Sequence, residues 1–493
     1  MPDLALSLAF VTLLYTVFVF QGYRKLFRDA DTGWHIRTGE RILRGEGLPH
    51  ADPYSFSRPG APWVAWEWAS DVAMGFAHRM SGLRGVAALY IAAIAASVWM
   101  WFRLHWAVEG NFLLACAMLP PMLSTASLHW LARPHVFSWL FLLGIVWIAE
   151  SRLCRLRWFH FAGCGFLFAA WANIHASFPL GILLLAVYGI ERKAMFGLAA
   201  AGAVGTLANP MGWALHRHVF AYLTDRELLD RIAEFQSFNF HVDGAGQILL
   251  TLLLTFAGAA AAVARRHWSR ALALALLAAF ALRSARGLPV LAMLALPLVN
   301  GSLSSVLPSF HRWADKIGQY GRNLRALDRQ MSGFVWSPLM LVILLAAFSS
   351  PAIVAQTGFD PADFPVAAAR ELDKVSGNVR LLSTDKFGGY LIYAFDGRRK
   401  VFADGRSDFY GAAFLKRYLR LIEARPGWRE MIDEFQITHA LLPSDGPLRT
   451  VLELAGWTLL HQDSTAVLLA RPAGPKAAVF PDARCLWTVS ASC

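Results

Sequence analysis

The chain has 493 residues, of which 56% are hydrophobic and 16% charged, with a formal charge of +12 and a mean hydropathy of +0.42. Soluble domains carry roughly a quarter charged residues, so this composition excludes an ordinary soluble fold and fits a polytopic membrane protein. The basic residues are spread through short connections and not gathered in one tract, which argues against nucleic acid as a partner.

Taken in chain order, the apolar runs predict about eleven spans, near residues 4–22, 85–105, 110–128, 134–150, 158–173, 175–190, 194–208, 247–264, 270–284, 288–306 and 334–353. The first run carries Asp3 and lacks a small-x-small cleavage pattern, so it reads as a retained helix and not a signal peptide. Alternate connections hold Arg152, Arg155 and Arg157, then Arg192 and Lys193, then Arg265, Arg266 and Arg270. The connection before the last span adds Arg312, Lys316, Arg322, Arg325 and Arg329. By the positive-inside rule these are cytoplasmic, which puts loops 23–84 and 209–246 and the C-terminal region outside the inner membrane. Of the five cysteines, Cys116 and Cys164 fall in spans and Cys154 in a cytoplasmic connection. Cys485 and Cys493 fall in the external tail, either paired or as two free thiols.

Residues 1–355 therefore form the expected α-helical membrane domain, and residues 360–475 a small external α/β domain followed by a tail, 476–493. Short strands are expected at 379–382, 390–393, 400–403, 440–442 and 466–469, and helices at 412–424 and 427–435.

The long loop 23–84 opens with Asp29-Ala30-Asp31-Thr32-Gly33-Trp34-His35, two carboxylates and an imidazole at the membrane edge. Charge in that position is costly unless it meets water, a metal or a head group. An amphipathic helix is expected over 36–44, and Gly47, Pro49, Asp52-Pro53-Tyr54-Ser55 and Pro59-Gly60 make the middle of the loop compact. Trp63, Trp66 and Trp68 suit the membrane–water interface, with Glu67 and Asp71 one helical turn apart behind them. Asp31 and His35, at i and i+4, can share a ligand or a proton on one helical face. The structural alternative is that the tryptophans anchor and the acids cap or pair with arginines.

The run from Asp29 to Pro49, with Asp52-Pro53-Tyr54-Ser55-Phe56 and Pro59-Gly60-x-Pro62-Trp63, resembles the first external loop of oligosaccharyltransferase catalytic subunits and, more broadly, of membrane glycosyltransferases of the GT-C fold. The resemblance implies an active-site acid after the first span, which Asp31 matches, a lipid-linked sugar donor and inverting-type transfer. Ser383-Thr384-Asp385-Lys386-Phe387-Gly388-Gly389-Tyr390-Leu391 and the following Arg399–Asp404 are similar to that family's tryptophan-rich acceptor element. Arg133-Pro134-His135, Trp171-x-Asn173-x-His175 and Asn209-Pro210 are similar to elements of a group of bacterial polytopic membrane proteins. Two departures stand out. The stretch Ser127–His135 has no carboxylate where the oligosaccharyltransferases carry an acidic pair, and Thr384 and Asp385 replace the paired tryptophans. A many-acid metal site and protein N-glycosylation are therefore not expected. A divalent metal, Mg²⁺ or Mn²⁺, held by Asp31 with Glu67 and nearby histidines stays open.

Transfer from a polyprenyl phosphate needs a base for the acceptor and cations for the leaving phosphate. Asp31 is the natural base, with His35 and Glu67 behind it, and Arg133, Arg283 and Arg286 are the candidate phosphate ligands. Asp29, Trp34, His135, His175, Asp404 and Arg406 are the candidate acceptor or pocket residues. The expected partners are a polyprenyl-linked donor, the bilayer, and a glycan, lipid or protein acceptor. Two other classes remain open: a transporter or lipid flippase for envelope glycans, and a non-enzymatic envelope assembly protein.

Overall fold

The computed structural model describes residues 3–151, 156–306, 312–331 and 335–472. The expectations on Arg152, Cys154, Arg155, Cys485, Cys493 and the tail, and on the side chain of Arg312, lie outside the described residues. The chain divides into two compact units, one of residues 1–51 and 62–359, the other of residues 52–61 and 360–493.

The first unit is helical. Leu83–Ala107, Phe112–His129, Ala245–Ala264 and Gly287–Val306 are each long and apolar enough to cross a membrane. Leu4–Val19, His135–Glu150, Phe178–Gly189, Ala194–Gly205 and Trp336–Ser349 are shorter apolar helices. This is a multi-pass membrane protein. Inside it, Asn300 donates to His105 Nδ1 at 2.8 Å and accepts the Asn111 backbone N–H at 2.9 Å, so a buried polar contact fastens Gly287–Val306 to Leu83–Ala107. His135–Glu150 has His135 at one end and Glu150 at the other, about 22 Å apart at 1.5 Å per residue. These two ends of the helical unit carry different chemistry.

Loop 23–84 is more helical than its turn formers suggest. The expected amphipathic helix begins five residues early, at Asp31, and runs to Arg41 before a single wide turn over Ile42–Glu46. A second helix, Trp68–Ser81, packs across it. Their crossing is very close: a Cβ on Gly39 would sit 1.7 Å from the Asp71 carbonyl oxygen, and one on Gly75 2.6 Å from the Glu40 nitrogen. Only glycine fits at either position.

The second unit holds a four-stranded sheet of order β1-β2-β4-β3, with β1 (Leu381–Ser383) parallel to β2 (His439–Pro443) and the pairs β2/β4 (Ala466–Ala470) and β4/β3 (Thr458–Gln462) antiparallel. Two expected strands are absent. Residues 390–393 belong instead to the helix Asp385–Ala394, because Thr384 accepts the Phe387 N–H and caps its start. At 400–403 the backbone makes only one isolated bridge, Val401 to Ser55. That bridge shows why residues 52–61 belong here: Val401 and Tyr54, and Phe56 and Val401, exchange backbone hydrogen bonds of 3.0 Å. The middle of the first loop is thus a finger of the second unit.

Candidate functional site

The site is assembled on the helical unit where the start of Asp31–Arg41 meets the segment 127–133. Arg28 donates to the Leu128 carbonyl at 2.5 Å, the Ala132 N–H to Leu26 at 2.8 Å, and the Thr32 hydroxyl to Ala132 at 3.0 Å. These three bonds bring Arg133 onto the acids. Its guanidinium lies 2.8 Å from Asp29, 2.9 Å from Asp31 and 3.2 Å from Glu234. Asp29 also accepts the Asp31 backbone N–H at 2.9 Å, which fixes the first turn of the helix.

Arg286 joins through Glu234, donating to it from Nε at 2.6 Å and stacking over Phe235 at 4.4 Å. The backbone holds this arm in place, with Arg286 N–H donating to the Glu234 carbonyl and Ala285 N–H to Gln236. Three carboxylates and two guanidinia therefore share one cluster, one negative charge in excess if all are ionised. Burial, aided by the carboxylates of Asp29 and Glu234, pushes Asp31 up to about 7 even beside Arg133. Glu234, although buried, is held well below the usual carboxylate range by Arg286 and Arg133. The excess charge of the cluster bears on Asp31, which is poised to take or give a proton near neutral pH.

A second group lies along the same two helices. The glycine crossing sets His35 Nδ1 2.6 Å from Asp71 Oδ1, and His35 Nε2 lies 3.8 Å from Glu67. Glu67 also lies 3.5 Å from His175, whose Nδ1 is within 3.0 Å of the Ser138 and Ser177 hydroxyls. Burial, with the Glu67 charge adding, raises Asp71 well above the ordinary carboxylate range. Trp34 stacks on His35 with ring centroids 3.6 Å apart, and His135 Nε2 meets the His129 carbonyl at 2.9 Å. His135 and His175 rings lie 6.5 Å apart, so the two groups approach one another through neighbouring histidines.

Most expected site residues thus meet. Asp29, Asp31, Arg133 and Arg286 form one group; His35, Glu67 and His175 form the other, with Trp34 and His135 against it. Asp31 and His35 share a helical face but take different partners, Arg133 and Asp71. Arg283 ends the helix Trp268–Arg283 exposed, with no hydrogen bond or ion pair among the described residues. Asp404 and Arg406 do not line a pocket. They are 1% and 2% exposed and form a buried knot in the second unit. There Arg406 reaches Asp404 at 2.7 Å and Asp52 at 2.8 Å, and the Tyr410 hydroxyl donates to Asp404 at 3.0 Å.

Glu234 and Asp71 join the candidate site although sequence reasoning left them out of it. Asp71 carried a signal, its one-turn spacing from Glu67; Glu234 carried none among Asp225, Glu227, Asp230 and Asp243 in the same loop. The donors expected for a metal, Asp31 with Glu67 and nearby histidines, are divided between two groups: Asp31 is turned onto Arg133, while Glu67 faces His35 and His175. Among the described residues no group of three or more His, Cys, Asp or Glu is arranged to hold a metal ion.

No family model matches the chain, and no curated protein matches it in sequence. Among solved structures it is similar to the crystal structure of ArnT from Cupriavidus metallidurans bound to undecaprenyl phosphate, at 14% identity over 96% of this chain and 98% of that one, with a TM-score of 0.48.

Proposed function

We propose that this protein is a membrane glycosyltransferase of GT-C type that moves a sugar from a polyprenyl-phosphate donor to an extracytoplasmic acceptor. The observation that carries the reading is the Asp31–Arg133 pair: a carboxylate poised near neutral pH beside guanidinia at the end of a bundle of apolar helices. Such a place suits a lipid whose tail lies among apolar helices and whose phosphate sits at their polar end.

In this reading Asp31 removes the proton from an acceptor hydroxyl or amine as its oxygen or nitrogen attacks the sugar's anomeric carbon. The bond from that carbon to the donor phosphate oxygen breaks, and its electron pair leaves on the phosphate. Arg133 and Arg286, with the exposed Arg283 nearby in sequence, neutralise the charge that develops there. A single displacement from the face opposite the phosphate inverts the anomeric carbon. Asp29 and Glu234 hold the guanidinia in place, and the Asp71–His35–Glu67 group is set to orient the acceptor.

The test is mass spectrometry of envelope glycans and lipid-linked sugars in a deletion strain, the wild type and an Asp31→Asn strain. A missing sugar with a built-up polyprenyl-linked precursor in both mutants is the expected result. Loss in the deletion alone makes Asp31 structural and favours the flippase reading.

A further inference from the structure

At the other end of the helical unit, away from Asp31, the arginine-bearing connections converge on a hollow of about 560 Å³. Its wall includes Glu150, Arg192, Arg270, Arg322 and Arg325. A smaller hollow of about 310 Å³ adjoins it, shares Glu109 and Arg325, and adds Arg103, Trp106 and Arg329.

Most charge in these walls is already spent. Arg270 grips Glu150 through Nε at 3.1 Å and Nη2 at 2.5 Å, and the Tyr188 hydroxyl donates to the same carboxylate at 2.6 Å. Arg192 caps the end of His135–Glu150 by donating to the carbonyls of Ala149 and Ser151. Glu191 accepts the Trp268 N–H at 2.5 Å, and Arg103 pairs with Asp3 at 2.9 Å.

The helix Arg312–Gln330 brings the remainder. Its end is anchored by Asp328, which accepts the Leu4 N–H at 2.6 Å and the Trp106 indole N–H at 2.9 Å. Arg322, Arg325 and Arg329 follow at i, i+3 and i+7, one face of that helix. Among the described residues Arg322 has only a loose, exposed contact of 3.8 Å with Asp315. Arg325 is half-buried and has no hydrogen bond or ion pair among the described residues. Burial and crowding by Arg329 and Arg322 outweigh the opposing Glu109 carboxylate in the same wall and pull its guanidinium below its ordinary value. Three guanidinia along one helix face, against the single Glu109 carboxylate, leave the wall with positive charge in excess, which favours an added anion.

We propose that this hollow is a binding site for a phosphate-bearing anion, held between Arg322 and Arg325, and separate from the transfer site. Planar guanidinia a turn apart suit the oxygens of a phosphate monoester or diester. Trp147, half-buried in the adjoining wall, suits the membrane–water interface, where an acidic phospholipid presents that group. A free phosphate has the same chemistry, and the experiment separates the two sources.

The full-length protein is placed in nanodiscs of phosphatidylcholine alone or with phosphatidylglycerol, and thermal unfolding and lipid retention in native mass spectrometry are followed. The expected result is a saturable rise in Tm with phosphatidylglycerol. An Arg322→Gln/Arg325→Gln double variant should bind about tenfold more weakly, while Arg266→Gln, exposed at the same end but outside the hollow, behaves as wild type. A Tm rise with inorganic phosphate in phosphatidylcholine discs supports the site with free phosphate as its source. That wild-type measurement stands even if the double variant fails to fold. No response to either anion overturns the proposal, and so does an equal loss in Arg266→Gln. The readout is binding, so it is unaffected by whether the protein transfers a sugar.

Discussion

The Asp31 carboxylate lies 2.9 Å from the Arg133 guanidinium and yet is pushed up to about 7. Two arginines, Arg133 and Arg286, serving three acids cannot hold them all ionised at little cost once they are buried. The pair is therefore a proton-exchanging unit more than a stabilising ion pair.

Asp31→Asn keeps the shape and a polar contact to Arg133, and Asp29 and Glu234 still hold that arginine. Membrane insertion and Tm should stay near wild type while turnover falls by about 10²–10⁴-fold, the usual contribution of a general base. Transfer assays with purified protein and a lipid-linked donor check this. An activity unchanged by the substitution removes Asp31 from the chemistry.

The base form of Asp31 exists above its folded pKa, so activity should rise with pH through about 7. Glu234→Gln removes one of the carboxylates that raise it. The rising limb should then move to lower pH, an outcome that a purely structural role for Glu234 does not produce. Stability runs the other way: folded Asp31 keeps its proton between its ordinary 3.8 and about 7, where the unfolded chain has lost it. Its contribution to stability therefore falls as pH rises through that window.

Arg133→Ala leaves Asp29, Asp31 and Glu234 facing one another. With the arginine side chain 18% exposed, the cost should be about 2–3 kcal/mol, somewhat under that of breaking a fully buried pair. A lowered Tm in detergent checks it. Arg133→Lys should recover stability better than activity, since an ammonium cannot span the acids as a planar fork does.

Gly39→Ala tests the helix crossing that sets His35 against Asp71. A methyl 1.7 Å from the Asp71 carbonyl oxygen forces Asp31–Arg41 and Trp68–Ser81 apart, at a cost of about 3 kcal/mol. Tm and turnover should fall together. Gly163, where a Cβ meets nothing within 4 Å, is the matched control in another helix.

The site was legible in part from the sequence because its first half is polar residues standing next to apolar runs. Asp31, His35 and Arg133 are conspicuous there, where burial without purpose is expensive. Glu234 was invisible because its loop offers several acids and nothing in their spacing says which one meets Arg286. The strand expected at 390–393 failed for a local reason: Tyr-Leu-Ile-Tyr has strand composition, but Thr384 caps a helix before the run begins. The Asp404–Arg406 knot was half legible. Asp404 and Arg406 stand two residues apart in Asp-Gly-Arg, whereas the third member of the knot, Asp52, lies 354 residues from Arg406.

That separation has a consequence for biosynthesis. At ~5–20 residues per second, a ribosome needs about 20–70 s to make Arg406 after Asp52. Through that interval the finger 52–61 has left the ribosome while its partners do not yet exist, and its carboxylate must wait in water. The second unit is thus finished only by returning to chain made much earlier. A gene fragment encoding residues 360–472 alone would make a product with one wall missing, and supplying a peptide of residues 52–61 in trans should restore its resistance to protease.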